Sequence, residues 1–441
     1  MNTPLFSTVD EYARKNMSRF HMPGHKGILP HFERAARYDV TEIPGCDELY
    51  RPRTAIAELE ARYARLYKSD ASLLCAGGST LCIQTMLALA MKPGGKLVTA
   101  RGCHASAVNA MALLDVNPVW VFPEYDNHTG LAKPVTAAQI RETLTVHGDA
   151  NAVYVTSPDY YGIICDILSI SGVCREFQVP LLVDNAHGAH LAFLPAPLHP
   201  MGLGADMCAD SLHKTMPVLT GGAMLHIKNP RFTKDAKRCM GVFGSTSPSY
   251  LVMLSADMAL ETLESDFPEK LLKTAKILAK LETLAAQKGF TVPGGVRDPL
   301  KLTLGFLSAG YTRGGFEAAL RSHGIEPEMT DEAFCVLMAS PHNTAKDFDR
   351  LLDFLKSVKQ KPALKIPEPA PLKPKQAKGL RESVFADMAE IPLEEAVGKT
   401  AGSFLSPCPP GIPQVIPGEV IDENLIHSLK KYGISRLNVI K

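Results

Sequence analysis

Short apolar runs alternate with longer segments of helical periodicity from about residue 70 onward. The runs have the length of buried strands, and between them apolar residues recur at the three- and four-residue spacing of helices. This alternation predicts βαβ units around a mostly parallel sheet with helices on both faces. In such sheets ligands bind at the carboxyl ends of the strands. The runs are Ala71–Cys75, Lys96–Thr99, Pro118–Val121, Ala152–Thr156 and Val179–Val183.

The same spacing predicts helices and a smaller α/β unit outside this region. Residues 1–19 and Ala55–Tyr67 have helical patterns, and residues 248–287 are mainly helical, with Pro268 kinking or dividing that stretch. Further along, a second short alternation predicts a separate small domain. Its elements are the strands Leu302–Leu307 and Ala333–Met338 and the helix Gly315–Ser322.

Composition and charge narrow the classes of function. The chain has 441 residues, 46% of them hydrophobic and 21% charged, which is typical of a soluble globular protein. A formal net charge of +1 provides no general field for nucleic acid or anionic membrane. No apolar run reaches the ~18–20 residues that span a bilayer, and the first residues do not resemble a signal peptide. Ten scattered cysteines without zinc-type spacing favour a reducing cytoplasm and no metal.

The first chemical cluster, Ala76-Gly77-Gly78-Ser79-Thr80, lies between a predicted strand and a helix. Glycines let the backbone approach a ligand, and a helix N-terminus offers N–H groups and partial positive charge. A phosphate would fit there, with hydroxyls from Ser79 and Thr80. The alternative is an ordinary N-capped turn.

The second cluster, Arg101-Gly102-Cys103-His104, also follows a strand. The flat ring of His104 could stack on an aromatic ligand, although a single loop histidine is more often a polar surface residue.

The third cluster begins with Asp184 at the end of an apolar strand. A carboxylate in such a place needs a partner, and a protonated pyridine nitrogen would provide one. With His187 and His190 nearby, Asp184 could instead bind a metal, but no third ligand follows at a useful spacing. A helix cap is the remaining alternative.

The fourth cluster, Ser211-Leu212-His213-Lys214-Thr215, contains a lysine between a histidine and small hydroxyl residues. Such a lysine can be desolvated enough to lower its pKa, which favours formation of an imine. Ser211 and His213 could hold a phosphate beside it. Most lysines are solvated surface residues, so the case for Lys214 depends on its position after the three preceding clusters.

The order of these clusters is similar to that of fold-type-I enzymes that use pyridoxal 5′-phosphate (PLP). More narrowly, the chain resembles the ornithine/lysine/arginine decarboxylase family in its short form, from about residue 18 to the end. Together, further stretches make this resemblance specific. They are His21–Gly27 (HMPGHKG), Gly244–Tyr250 (GSTSPSY), Ile391–Val397, Pro409–Pro413 (PPGIP) and Pro417–Glu419.

The resemblance implies a role for each matching residue. Lys214 would carry PLP as a Schiff base, and Asp184 would pair with the pyridinium nitrogen. Ala186 and His104 would cover the two faces of the ring, with His187 beside it. The phosphate would be bound by Gly78, Ser79, Thr80, Ser211 and His213, with Ser245, Thr246 or Ser247 from a second copy of the chain.

The implied domains and partners follow the same family. Fold-type-I active sites form between two subunits, so we expect a homodimer or a dimer of dimers acting on an amino acid, with no nucleic acid or membrane partner. The predicted domains are an N-terminal segment of the dimer and active site (1–54), a large PLP-binding domain (55–290), a small α/β domain (291–358), a Pro- and Lys-rich linker (359–378) and a C-terminal domain (379–441).

The implied reaction is decarboxylation of arginine, lysine or ornithine. The protein would hold the Cα–carboxylate bond perpendicular to the cofactor ring, and His104 or Lys214 would return a proton to Cα. A cationic side chain needs a carboxylate at the far end of the pocket, although the candidates could equally be solvated loop acids. These candidates are Asp47, Glu48, Glu328 and Asp331.

Three alternatives remain. The first is an aminotransferase or lyase on the same fold, but an aminotransferase usually clamps the substrate carboxylate with an arginine, and no clear one occurs late in the chain. The second is a non-catalytic regulatory relative, against which the retention of Lys214, Asp184 and His104 argues. The chain departs from the family pattern at Asn185, where glutamate is usual, at Asp210, and in the Ala76–Gly78 turn. A metal hydrolase is a distant third.

Overall fold

The computed structural model describes residues 3–15, 19, 23, 26, 28, 31–359, 361–366, 373–406 and 413–441. In these residues the α-helices are α1 (Pro4–Arg14), α2 (Glu33–Tyr38), α3 (Ala55–Tyr67), α4 (Gly78–Ala90), α5 (Ala105–Leu114), α6 (Ala137–Val146), α7 (Ile167–Glu176), α8 (Leu212–Thr215), α9 (Thr233–Phe243), α10 (Tyr250–Leu263), α11 (Phe267–Gln287), α12 (Arg313–Ser322), α13 (Ala345–Ser357), α14 (Leu380–Val384) and α15 (Glu423–Lys431).

The strands of the described residues are β1 (Ala71–Cys75), β2 (Lys96–Ala100), β3 (Asn117–Val121), β4 (Ala152–Thr156), β5 (Leu181–Asp184), β6 (Met207–Asp210), β7 (Ala223–Ile227), β8 (Lys301–Gly305), β9 (Met329–Thr330), β10 (Phe334–Met338), β11 (Met388–Pro392) and β12 (Arg436–Ile440). The chain divides into two compact units, and each unit is built from two separate stretches of the sequence. The first unit comprises Met1–Ala90 and Pro180–Leu271, and the second comprises Met91–Val179 and Leu272–Lys441.

The first unit contains four adjacent strands in the order β1-β7-β6-β5. Strand β7 runs antiparallel to both β1 and β6, whereas β5 and β6 are parallel. Strands β1, β5 and β6 therefore point the same way, and their carboxyl ends lie at one edge. Because ligands bind at the carboxyl ends of strands in such sheets, this edge is where a site is expected.

The second unit contains three parallel strands in the order β4-β2-β3. It also has an antiparallel sheet of β8, β10 and β9, and buried residues of β8 and β10 form a core with α11, α12 and α13. A separate hydrophobic core packs the β11–β12 pair against α15. The small α/β unit predicted from the second alternation is therefore present.

The sequence predicts strand positions well where the run is mostly apolar. Ala71–Cys75 and Ala152–Thr156 match β1 and β4 residue for residue. Strand β5 begins at Leu181 rather than Val179, since Pro180 has no N–H for the ladder. Pro268 lies in the first turn of α11, after α10 has ended, so it divides the helical stretch.

Two of the predicted motifs lie mostly outside the described residues. Of HMPGHKG only Pro23 and Lys26 are among the described residues, and of PPGIP only Pro413. The predicted domain boundaries stay a prediction. A search of the described residues finds no helix long and apolar enough to cross a membrane.

Candidate active site

Lys214 lies in the short helix α8 that follows β6, and it contacts a histidine from the loop after β5. Its Nζ is 2.9 Å from Nε2 of His187. A lysine ammonium can only donate, so the imidazole Nε2 accepts and the ring carries its proton on Nδ1. His187 is buried and Lys214 is half-buried. The contact brings together two of the four sequence clusters.

Asp184 is the last residue of β5 and is 3% exposed. Its Oδ1 accepts the N–H of Ala186 at 3.1 Å, which fixes the direction of the carboxylate at the strand end. Ala186 is also buried. A buried carboxylate favours a cationic partner, because taking its charge out of water is costly. Its position suits a cationic ring nitrogen.

Helix α4 begins at Gly78, directly after the turn that follows β1. Gly78 has φ +70°, a left-handed conformation that favours glycine, and its N–H donates to the carbonyl of Gly221 at 2.8 Å. A Cβ built on Gly78 would meet no atom within 4 Å, so there is open space above this turn. The first-turn N–H groups of a helix lack helical partners. With Ser79 half-buried and Thr80 exposed, the turn suits a phosphate.

Ser211 is fully buried, and its Oγ has no hydrogen-bond partner among the residues that the structure describes. A buried hydroxyl without a partner costs free energy, so such an atom suggests a bound ligand. The neighbouring Lys214 N–H donates to the Ser211 carbonyl at 3.2 Å, which places this hydroxyl in the same turn as the lysine.

His213 is oriented by a backbone carbonyl. Its Nδ1 lies 3.0 Å from the oxygen of Gly222, and since a carbonyl only accepts, Nδ1 carries the proton. In the neutral ring Nε2 is therefore an acceptor. Burial lowers the pKa of His213, as does the charge of Lys214, although the Gly222 hydrogen bond acts in the opposite direction.

Asp210, the residue before Ser211, is the centre of a buried hydrogen-bond network. Its Oδ1 accepts from Asn185 Nδ2 at 2.7 Å and from Cys208 Sγ at 3.3 Å, and its Oδ2 accepts from His199 Nε2 at 2.9 Å. His226 Nε2 is 3.4 Å from the same Oδ2. Burial would raise the pKa of Asp210, but His199 and His226 outweigh it and hold the pKa well below its usual range. Asn185 and Asp210, two departures from the family pattern, are thus hydrogen-bonded to each other.

The outer part of this network could not be predicted from the sequence. The ring of Tyr67 stacks on His226 with centroids 4.1 Å apart, and the Tyr67 hydroxyl donates to the Ala189 carbonyl at 3.0 Å. His226 Nδ1 is 2.7 Å from Ser72 Oγ. These residues come from distant segments, so no local motif unites them. A histidine inside the apolar run Ala223–Ile227 is the one signal that could have drawn attention.

The same cluster includes a geometric candidate for a metal. Ligand atoms of His199, Cys208 and Asp210 lie within 4.8 Å of one another in the described part of the chain. The 2.9 Å distance from His199 Nε2 to Asp210 Oδ2 is that of a direct hydrogen bond. We therefore interpret the cluster as a hydrogen-bond network.

In the second unit, His104 forms the N-cap of α5. Its Nδ1 accepts the N–H of Ser106 at 3.1 Å, so the neutral ring carries its proton on Nε2. His104 is half-buried. The ring is thus oriented by the helix that it caps, with a donor at its outer nitrogen.

The other predicted binding residues differ in their surroundings. The carboxylate of Asp47 accepts N–H bonds from Arg53 and Thr54 at the start of α3, and Glu48 accepts one from Tyr50. Ser245 and Thr246 are exposed, and the Ser245 carbonyl accepts the Tyr50 hydroxyl at 3.0 Å.

Glu328 and Asp331 of the second unit both contact tyrosines in the loop after β4. The hydroxyls of Tyr160 and Tyr161 donate to Glu328 Oε1 at 2.6 Å and to Asp331 Oδ2 at 2.5 Å. Burial raises the pKa of Asp331, while the Tyr161 hydrogen bond acts in the opposite direction. Glu328 is exposed and its acid group is the more accessible of the two.

Comparison with solved structures shows the fold class. A lysine decarboxylase from Francisella novicida superposes with a TM-score of 0.86 at 19% identity, covering 100% of this chain and 81% of that one. The chain has the fold of fold-type-I PLP-dependent enzymes, a mostly parallel α/β sheet with smaller α/β domains, as the sequence predicts.

Sequence comparison identifies the family within that class. The family profile "Orn/Lys/Arg decarboxylase, major domain" matches residues 3–288, and "Orn/Lys/Arg decarboxylase, C-terminal domain" matches residues 356–432. Arginine decarboxylases from Bacillus subtilis and Halalkalibacterium halodurans are each 31% identical, covering 97% and 99% of this chain and 93% and 94% of theirs. The chain belongs to the Orn/Lys/Arg decarboxylase family and is a decarboxylase.

Proposed function

We propose that this enzyme uses PLP to decarboxylate a basic amino acid, and that arginine is the first substrate to test. The observation that carries the proposal is the hydrogen bond between Lys214 and His187, together with the buried carboxylate of Asp184 at the end of β5. The two relatives at 31% identity are arginine decarboxylases, which favours arginine over lysine and ornithine.

The residues of the first unit fit PLP. Ser211 offers a buried hydroxyl without a partner among the described residues, open space lies above Gly78, and Asp184 is a buried anion for a pyridinium nitrogen. Ala186 and His104 would cover the two faces of the ring. The phosphate would be bound by small, hydroxyl and histidine residues, namely Gly78, Ser79, Thr80, Ser211 and His213, with Ser245 and Thr246 of a second copy of the chain. When bound, PLP supplies an electron sink for the bond that releases CO₂.

Side chains of the protein accept and donate the protons that the reaction requires. The Lys214 amine must be neutral to act as a nucleophile, and Nε2 of His187, 2.9 Å away, is positioned to take its proton. His104 carries a proton on Nε2 in its neutral form and is the candidate donor to the substrate carbon. The buried carboxylate of Asp184 would hold a cationic ring nitrogen in a fixed orientation.

The candidate substrate acids can now be ranked. The Asp47 carboxylate is committed to the backbone N–H groups at the start of α3. Glu328 is exposed and Asp331 lies close by, each with a tyrosine partner. We therefore favour Glu328 and Asp331 over Asp47 and Glu48 as the acids that bind the cationic end of the substrate.

The assembly and compartment follow the family expectation. We propose a homodimer or dimer of dimers, since Ser245 and Thr246 are exposed rather than packed within their own chain. None of the nine cysteines in the described residues forms a disulfide, which suits a reducing cytoplasm.

The function is tested by product analysis. The purified protein is incubated with PLP and with arginine, lysine or ornithine in turn, and CO₂, amine and keto acid are measured. We expect CO₂ and the amine in equal amounts from one of the three, and after borohydride reduction a pyridoxyl group on Lys214 by peptide mass spectrometry. A keto acid would indicate an aminotransferase, and no product from any of the three would remove the substrate class.

The tautomer of His213 predicts a pH effect on cofactor binding. Nδ1 is committed to Gly222, so Nε2 can donate to a phosphate only when the ring is protonated. The pKa of His213 is lowered in the free protein, so phosphate binding must take up a proton. Affinity for pyridoxamine 5′-phosphate, which cannot link to Lys214, should fall up to about tenfold per pH unit as pH rises above this pKa.

This effect is measured by calorimetry between about pH 6 and pH 8, where histidines titrate. The matched control is His213→Gln, which keeps a hydrogen-bond donor that does not titrate. Any pH dependence that remains in this variant is that of the ligand phosphate. Equal slopes for the two proteins would rule out proton uptake by His213.

A further inference from the structure

The helix that carries His104 is held at both ends by the C-terminal segment, which we define as residues 373–441. Before its N-terminus, Arg101 donates from Nη1 to the Pro413 carbonyl at 3.1 Å and from Nη2 to Glu419 Oε2 at 2.9 Å. At its C-terminus, Arg381 Nη1 donates to the Leu113 carbonyl at 2.7 Å. All these residues belong to the second unit.

The N-terminal contact is a buried ion pair. Arg101 directly follows β2 and is 5% exposed, while Glu419 is 1% exposed. Glu419 Oε2 also accepts the N–H of Ile416 at 2.8 Å. Burial raises the pKa of Glu419, and the charge of Arg101 lowers it. Removing one partner would leave the other charge uncompensated, so this pair fixes its surroundings firmly.

The C-terminal contact completes the last turn of the helix. The final carbonyls of an α-helix lack helical partners and carry partial negative charge. The Arg381 guanidinium supplies a donor to Leu113 and a weaker one to Ala112 at 3.4 Å. Helix α14, which contains Arg381, packs against α5. Two contacts at opposite ends restrict both the tilt of α5 and its shift along its axis.

We propose that Arg101, Glu419 and Arg381 are positioning residues through which the C-terminal segment sets the orientation of the His104 ring. This inference rests on the proposed function, in which His104 covers one face of PLP. Because His104 caps α5, a small movement of the helix moves its ring, and a displacement of about 1 Å at a reacting group can lower a rate about 100-fold.

A spectroscopic reporter lies within the same cluster. Trp120 is the single tryptophan of the protein, and the Arg101 Cζ lies 5.6 Å from its ring centroid. Loss of the Arg101–Glu419 pair should change the tryptophan emission maximum. Changes at Arg381, on the other end of α5, should leave it nearly unchanged.

The experiment compares Glu419→Gln and Arg381→Gln with Glu395→Gln, which changes an exposed acid of the same segment. For each full-length PLP-loaded protein we measure kcat, KM, the pH profile of kcat, and hydrogen exchange of peptides covering Ala105–Leu114. We expect both test variants to lower kcat about 10- to 100-fold with KM nearly unchanged, and to exchange α5 amides faster. Pyridoxyl labelling of Lys214 should not change.

The outcomes separate this inference from the proposed function. Test variants that match the control in α5 exchange and in kcat would overturn the positioning role, as would a lower melting temperature with unchanged kcat and pH profile. If Glu419→Gln does not fold, Arg381→Gln carries the test, because Arg381 is exposed. If the parent protein releases no CO₂, the proposed function fails, and α5 exchange still decides whether the C-terminal segment holds that helix.

Discussion

Replacing Lys214 with alanine is expected to lower the decarboxylation rate by about four orders of magnitude or more. The variant loses the amine that lies 2.9 Å from His187, whereas Asp184, Gly78 and Ser211 remain in place. PLP should therefore still bind through its phosphate and ring nitrogen, but without a covalent link. The rate is measured as CO₂ release, and the link as the visible absorption band that borohydride removes.

Lys228→Ala is a matched control for this change. Lys228 belongs to the same unit, and its Nζ pairs with Asp70 at the surface, where such pairs contribute little. It should keep the parent rate and absorption band. If Lys214→Ala kept its rate within tenfold of the parent, the cofactor amine would have to be sought at another lysine.

Replacing Asp210 with asparagine is expected to lower the free energy of unfolding by about 3 kcal/mol. The ionised carboxylate accepts from Asn185, His199 and Cys208, and a neutral amide would turn an N–H₂ group toward some of these donors. Since the pKa of Asp210 is depressed in the folded protein, its stabilisation is present above the unfolded pKa and is lost as pH falls below about 4.

Urea unfolding followed by circular dichroism measures this effect. The difference between parent and variant should shrink as pH falls below about 4, because the unfolded parent chain takes up a proton on Asp210 that the folded chain does not. The control, Asp235→Asn, removes a surface pair with Arg238 and should cost under about 1 kcal/mol. A bound metal detected in stoichiometric amount would contradict the hydrogen-bond interpretation of this cluster.

The local parts of the fold were accessible from the sequence because they depend on neighbouring residues. Ala71–Cys75 is mostly apolar and is followed, after Ala76, by a glycine pair, so both β1 and the start of α4 could be placed. Lys214 and His187 were expected at the same site, because the family resemblance places both beside the cofactor. Their direct contact was not predicted, because a pattern along the chain carries no side-chain geometry.

The parts that were missed depend on residues far apart in the chain. Asp210 was noted only as a departure, and its contacts with His199 and His226 come from two further segments. Strands β6 and β7 were not predicted, since β6 has four residues including an aspartate and β7 contains a histidine. Polar residues interrupt the apolar signal there because they belong to the buried network.

Strand β1 has a consequence for how the protein is made. Residue 71 pairs with residue 227, and the first unit is completed only by residues up to 271. On the ribosome, the turn at Gly78 is therefore synthesised long before the strand that supports it, and β1 must wait with its edge unpaired. Such edges are prone to association with other chains. A chaperone bound to the nascent chain should therefore raise the yield of active enzyme more than one added after release.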